Sequence, residues 1–112
     1  MTETKRPLRL LKGTVDLLIL KALSGSPNHG YGISKWIRER SDGALGLEDA
    51  ALYQALHRLE RKDSIKSEWG SSENNRRAKF YELTTSGRHE LVAESSQWRS
   101  YAEAVFRVLE MA

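Results

Sequence analysis

Between residues 45 and 87 the spacing of apolar residues changes from the period of a helix to the period of a strand. This change limits the possible folds more than any other feature of the chain. Leu52, Leu56 and Leu59 fall at i, i+4 and i+7, one buried stripe on a helix over 48–62. Tyr53, Gln54, His57, Arg58 and Arg61 then point away from that stripe. Ile65-Lys66-Ser67-Glu68-Trp69 alternates as a strand does, and Lys79-Phe80-Tyr81-Glu82-Leu83 is a second β-rich run. Gly70-Ser71-Ser72-Glu73-Asn74-Asn75-Arg76-Arg77 lies between them, turn-prone and basic at its end.

The residues before this segment predict two more helices. Thr14 is placed to cap a helix that runs to Leu23 and ends at Gly25 and Pro27. Val15, Leu17, Leu18, Ile19, Leu20 and Leu23 make it apolar over most of its circumference, as a central core helix must be. Pro27-Asn28-His29-Gly30 predicts a turn, with His29 capping or buttressing a helix over 30–40. Ile33 and Ile37 form the buried pair of that helix, with Trp36 and Tyr31 alongside. Asp42-Gly43 and Gly46 make the connection to 48–62. Three short helices joined tightly are the core of a helix-turn-helix domain, and a basic-tipped hairpin after the third makes it winged. Such a fold lays a helix in the major groove of DNA while the hairpin tip reaches a phosphate row or a minor groove.

Thr84, Thr85 and Ser86 offer hydroxyls to cap a last helix over 86–111. At 1.5 Å per residue it is roughly 40 Å long, more than a small core needs. Leu91, Trp98, Val105 and Ala112 repeat every seven residues, Tyr101 and Val108 fill the second seam position, and Glu94 interrupts it. Ala102, Phe106 and Leu109 widen the apolar stripe, which predicts a homodimer formed through this helix. Trp98 is either a knob in that seam or, with Tyr101, a wall of a cavity for a small aromatic effector. Trp36 and Trp69 are assigned to packing within the domain, with Trp69 closing the hairpin. The expected fold is thus mainly α with a small β-hairpin. A winged helix-turn-helix DNA-binding domain with an N-terminal arm covers 1–85, and a C-terminal dimerisation helix covers 86–112.

Charge agrees with a DNA partner through its distribution. The net charge of the 112 residues is only +3, but seven Lys/Arg stand against four acids from His57 to Lys79. Lys5, Arg6, Arg9 and Lys12 add a basic arm in front. The chain has no cysteine, so disulfides, thiolate zinc sites and thiol nucleophiles are excluded, in keeping with a cytoplasmic location. His29, His57 and His89 are far apart and form no H-E-x-x-H spacing. Ser24, Ser34 and Ser41 sit in no nucleophile elbow, and Gly30-x-Gly32 follows no predicted strand. The expectation is no enzyme, no cofactor, no metal and no membrane span.

Four ordered motifs carry a resemblance. His29-Gly30-Tyr31-Gly32-Ile33, the run from Leu52 to Glu60, the run from Glu73 to Thr84, and Gly87 strongly resemble the PadR family of bacterial transcriptional regulators, over residues 11–91. The resemblance implies a dimeric winged-helix repressor of the subclass with a single C-terminal dimerisation helix, and many relatives respond to phenolic, aromatic or drug-like molecules. The chain departs from the family pattern in three places. Gln54 stands where Pro is usual, Ala50-Ala51 where Gly-Ser is usual, and Asp63-Ser64 where a Gly is usual. Losing the Ser hydroxyl removes a phosphate contact, whereas Gln54 brings an amide suited to adenine. Asp63 tolerates the left-handed turn conformation.

The DNA-binding set expected on these grounds is Tyr53, Gln54, His57, Arg58, Arg76, Arg77 and Lys79. Lys79 has a cross-strand ion pair with Glu68 as its competing role. The dimerisation and effector set is Leu91, Trp98, Tyr101, Val105 and Val108. The partner is a pseudo-palindromic duplex operator. The alternative is a winged helix that binds another protein through the same surface, which predicts little salt-dependent affinity for DNA.

Overall fold

The computed structural model describes residues 8, 10, 11 and 13–110. The basic arm at Lys5, Arg6, Arg9 and Lys12, and the last seam position at Ala112, lie outside the described residues. In chain order the elements are α1 (Thr14–Ala22), β1 (Asn28–His29), α2 (Gly30–Arg40), α3 (Asp49–Arg61), β2 (Ile65–Ser71), β3 (Arg77–Leu83) and α4 (Thr85–Glu110). Ile19, Leu20 and Leu23 meet Ile33 and Ile37 of α2 and Leu52, Leu56 and Leu59 of α3 in one core. Ile65, Tyr81 and Leu83 close that core from the sheet. The leucine stripe of α3 is therefore buried as its period requires.

Two helix starts are built differently from each other. Thr14 is the first helical residue of α1 rather than its cap, because Gly13 takes the cap position with φ of 93°. The Thr14 hydroxyl instead donates backwards to the Leu11 carbonyl at 2.7 Å. His29 does cap α2, since its Nδ1 accepts from the Gly32 N–H at 3.0 Å. After α3, Asp63 takes φ of 66° and turns the chain into β2 as expected for that position.

The sheet has three strands where the sequence suggested a hairpin alone. Asn28 and His29, expected in a turn, form β1 and pair antiparallel with Tyr81 and Phe80 of β3. The order is β1-β3-β2, so β3 is central. The His29 ring meets Phe80 edge-on at 5.2 Å, which fixes the start of α2 against the sheet. In the β2–β3 ladder Trp69 stands opposite Lys79 and Glu68 opposite Phe80. Asn75, at φ of 61°, turns the hairpin, and the Ser72 N–H closes it on the Arg76 carbonyl at 2.8 Å.

Gly87 fixes the root of α4. It is buried, and a β-carbon there would sit on the Ser64 carbonyl oxygen. The same carbonyl accepts from the Thr84 N–H at 3.1 Å, so only glycine lets the first turn of α4 lie against the turn that follows α3. Leu91 packs on the core of its own chain. Beyond it α4 runs on past α1, with Val92, Tyr101, Phe106, Val108 and Leu109 exposed. No described helix is long and apolar enough to cross a membrane.

Candidate nucleic-acid interface

With one side of α3 fixed in the core, the opposite side carries Ala50, Tyr53, Gln54, His57 and Arg61, all exposed. Their spacing of three and four residues makes one continuous face along the helix. Tyr53 is only half exposed, because its ring lies under the backbone of Gly30, where a β-carbon would strike the phenol oxygen. It serves as a strut between α2 and α3 and still presents an edge to solvent. Gln54 and His57 stand free beside it. Arg61 completes the face one turn further on, a position outside the expected set.

The basic side chains between His57 and Lys79 divide into two groups. Arg58 is turned from the exposed face of α3 and makes an ion pair with Asp16 of α1, which ties the two helices together. Lys62 binds Glu90 of α4 at 2.9 Å, and Lys66 lies 3.7 Å from Glu82 across the hairpin. Lys79 does not pair with Glu68, since the register sets it opposite Trp69; its ammonium lies 3.8 Å from Glu60 of α3. Glu60 also accepts from the Ser67 hydroxyl at 2.6 Å, so this carboxylate fastens both strands of the wing to α3. Among the described residues, Arg61, Arg76 and Arg77 make no ion pair. All three are exposed on the α3 face or the wing and are open to an external anion, and two of the three are at the wing. The guanidinium of Arg77 lies 4.5 Å over the ring of Trp69. Trp69 itself is 56% exposed, so it does not close the hairpin by packing.

The joint between α3 and α4 is electrostatic as well as steric. The Ser64 hydroxyl and Lys62 both hydrogen-bond Glu90. Burial alone would raise the Glu90 carboxyl, but these two bonds outweigh it and hold the group below the usual carboxylate range. Glu94, one turn on, is pushed up instead, first by burial and then by the charge of Glu90.

Residues 19–93, two-thirds of the chain, match the transcriptional regulator PadR-like family. The chain belongs to that family. A PadR family regulator from Clostridium difficile is 34% identical, with a TM-score of 0.75 over 87% of this chain and 99% of that one. A transcriptional regulator from Clostridium thermocellum is 31% identical, with a TM-score of 0.78 over 86% of this chain and 90% of that one. An uncharacterized protein of Lysinibacillus sphaericus is 27% identical over 101 residues, 90% of this chain and 93% of that one. The fold is that of a winged helix-turn-helix, and the protein is a DNA-binding regulator of transcription.

In this PadR-like chain the long helix offers a broad apolar face. Trp98 and Tyr101 meet edge-on at 6.4 Å between ring centres. They border an open groove of about 460 Å³ with Leu11, Thr14, Leu17 and Glu94. Leu91 has already been taken into the core, so the free part of the expected seam is Trp98, Tyr101, Val105 and Val108, joined by Phe106 and Leu109. Glu94, which breaks the heptad pattern, sits at the rim of that groove.

Proposed function

We propose that this protein is a homodimeric repressor that reads a pseudo-palindromic operator. Two copies of α3 enter successive major grooves about one helical turn apart, and the wings grip the flanking backbone. Gln54 and His57 face base edges, Tyr53 meets the backbone, and Arg61, Arg76 and Arg77 neutralise phosphates. Arg58 and Lys79 act indirectly, by holding α1 and the wing against α3. The observation that carries this reading is the division of the basic residues. Arg61, Arg76 and Arg77 on the α3 face and the wing lack acid partners among the described residues, whereas Arg58, Lys62, Lys66 and Lys79 are paired.

Dimerisation through α4 follows from the apolar surface at Trp98, Tyr101, Val105, Val108 and Leu109, which a chain this small has no means to cover alone. Repression is steric, by occupancy of promoter DNA. A small aromatic effector stacked at Trp98 and Tyr101 would favour a protomer arrangement that spaces the two α3 helices wrongly. The test is selection of bound duplexes from a random pool at fixed salt. A two-fold symmetric consensus supports the proposal. Recovery of no consensus, together with salt-independent binding, favours a winged helix that docks a protein.

A further inference from the structure

The hairpin tip carries a stacked pair that the DNA-binding reading leaves unexplained. Side chains alternate across β2, and Ser67 is on the side that bonds Glu60 of α3. Trp69, two residues on, is on that same α3-facing side. The opposite side of the hairpin is filled at this level by Phe80, which lies against Gly70 and His29. Trp69 is thus not part of a packed cluster, and more than half of it is open to solvent. Its two basic neighbours on β3 behave differently. Lys79, directly opposite, is drawn to Glu60 at 3.8 Å. Arg77, on the diagonal, places its guanidinium 4.5 Å over the indole and makes no ion pair among the described residues.

We propose that Trp69 is the positioning residue of the wing: its exposed face stacks the Arg77 guanidinium and holds it edge-outward for a DNA phosphate. A stacked guanidinium keeps its in-plane N–H donors free, and those are the donors that bind a phosphate in pairs. The indole also removes water from one face of the cation and restricts a long, flexible side chain before DNA arrives. An exposed tryptophan on a basic, turn-prone loop therefore has a task, although it buries little of itself. The inference rests on the wing meeting DNA, and its test separates the two claims.

The experiment measures binding of the full-length protein to its selected operator and to random duplex DNA between 50 and 200 mM salt. The proteins are wild type, Arg77→Ala, Trp69→Leu, Trp69→Phe and the Arg77→Ala, Trp69→Leu double variant. Trp69 is exposed, so Trp69→Leu is expected to fold, and its melting curve is recorded alongside. One lost phosphate contact in each of two wings lowers the salt slope by up to about 1.8, which is about 12-fold in affinity across that salt range. Arg77→Ala is expected to show this loss on both DNAs. Trp69→Leu should reproduce most of it with no charge removed, the double variant should be no weaker than Arg77→Ala, and Trp69→Phe should recover most of the wild-type slope. Wild-type binding by Trp69→Leu beside a weakened Arg77→Ala overturns the positioning role and leaves the wing contact standing. Additive losses in the double variant also overturn it, by showing that Trp69 meets DNA on its own. Wild-type binding by every variant removes the Arg77 phosphate contact itself.

Discussion

Replacing Gly87 with alanine tests how the long helix is joined to the DNA-binding domain. The added β-carbon would sit on the Ser64 carbonyl oxygen, and the obstacle is backbone, which has no rotamer to escape into. The first turn of α4 must then move as a unit. Overpacking of this kind costs about 1–3 kcal/mol. The shift also breaks the bonds that tie Thr84 to the preceding turn, its N–H to the Ser64 carbonyl at 3.1 Å and its hydroxyl to the Asp63 carbonyl at 2.6 Å, at about 1 kcal/mol each. Alanine returns at most about 1 kcal/mol of helix propensity. The net expectation is a loss of about 2–4 kcal/mol, or roughly 8–16 °C in melting temperature for a domain of this size. The assay is urea and thermal unfolding at matched protein concentration, because association makes stability concentration-dependent. Gly25→Ala is the control. Its β-carbon meets nothing within 4 Å, and its effect should stay within about 0.5 kcal/mol. A Gly87→Ala protein as stable as wild type would refute the reasoning, for α4 would not be seated on Ser64.

Other perturbations separate the remaining parts. Gln54→Ala should relax preference at a symmetric pair of operator positions by about 1–3 kcal/mol, and an unchanged consensus would make Gln54 a bystander. If α4 holds the proposed dimer, removing residues 98–112 should leave only monomers or aggregates by light scattering; an intact dimer would place the interface elsewhere. Glu94→Gln should stabilise the protein at neutral pH. The folded state holds this carboxyl above its usual value, so the charged form is disfavoured once pH exceeds that raised value. The gain should fade as pH falls and Glu94 takes up its proton, and a gain independent of pH would point to packing. Glu90 has the opposite sign: its stabilising contribution is present at neutral pH and is lost as pH falls through its depressed folded-state value, so Glu90→Gln should destabilise most near neutrality.

The sequence showed most where a repeat carries the information. The leucines at 52, 56 and 59 placed α3 to within a residue at each end, and alternation at 65–69 and 79–83 placed the wing. It showed least where structure depends on partners distant in the chain. β1 is two residues with no alternation of its own, and it exists only because β3 passes beside it. Arg58 and Asp16 are 42 residues apart, and Lys62 and Glu90 are 28 apart, so nothing local revealed which cations were already paired. For Lys79 the alternative to DNA was a pair with Glu68, but the register sets it opposite Trp69 and the nearness of α3 brings Glu60 within 3.8 Å. Trp69 looked like a packing residue because tryptophan usually is one. Its exposure depends on its place towards the free end of the hairpin, where its cross-strand neighbours are Lys79 and Arg77 rather than apolar residues.

The most direct test of the central claim is a spacing series on the selected operator. Two α3 helices fixed by one α4 interface must meet two half-sites on the same face of the duplex. Inserting about five base pairs, half a helical turn, between the half-sites rotates them to opposite faces. Affinity should then fall to the level of a single half-site, with one wing and one α3 engaged. Undiminished affinity after the insertion would contradict it, because the two helices would not be reading DNA as a rigid pair.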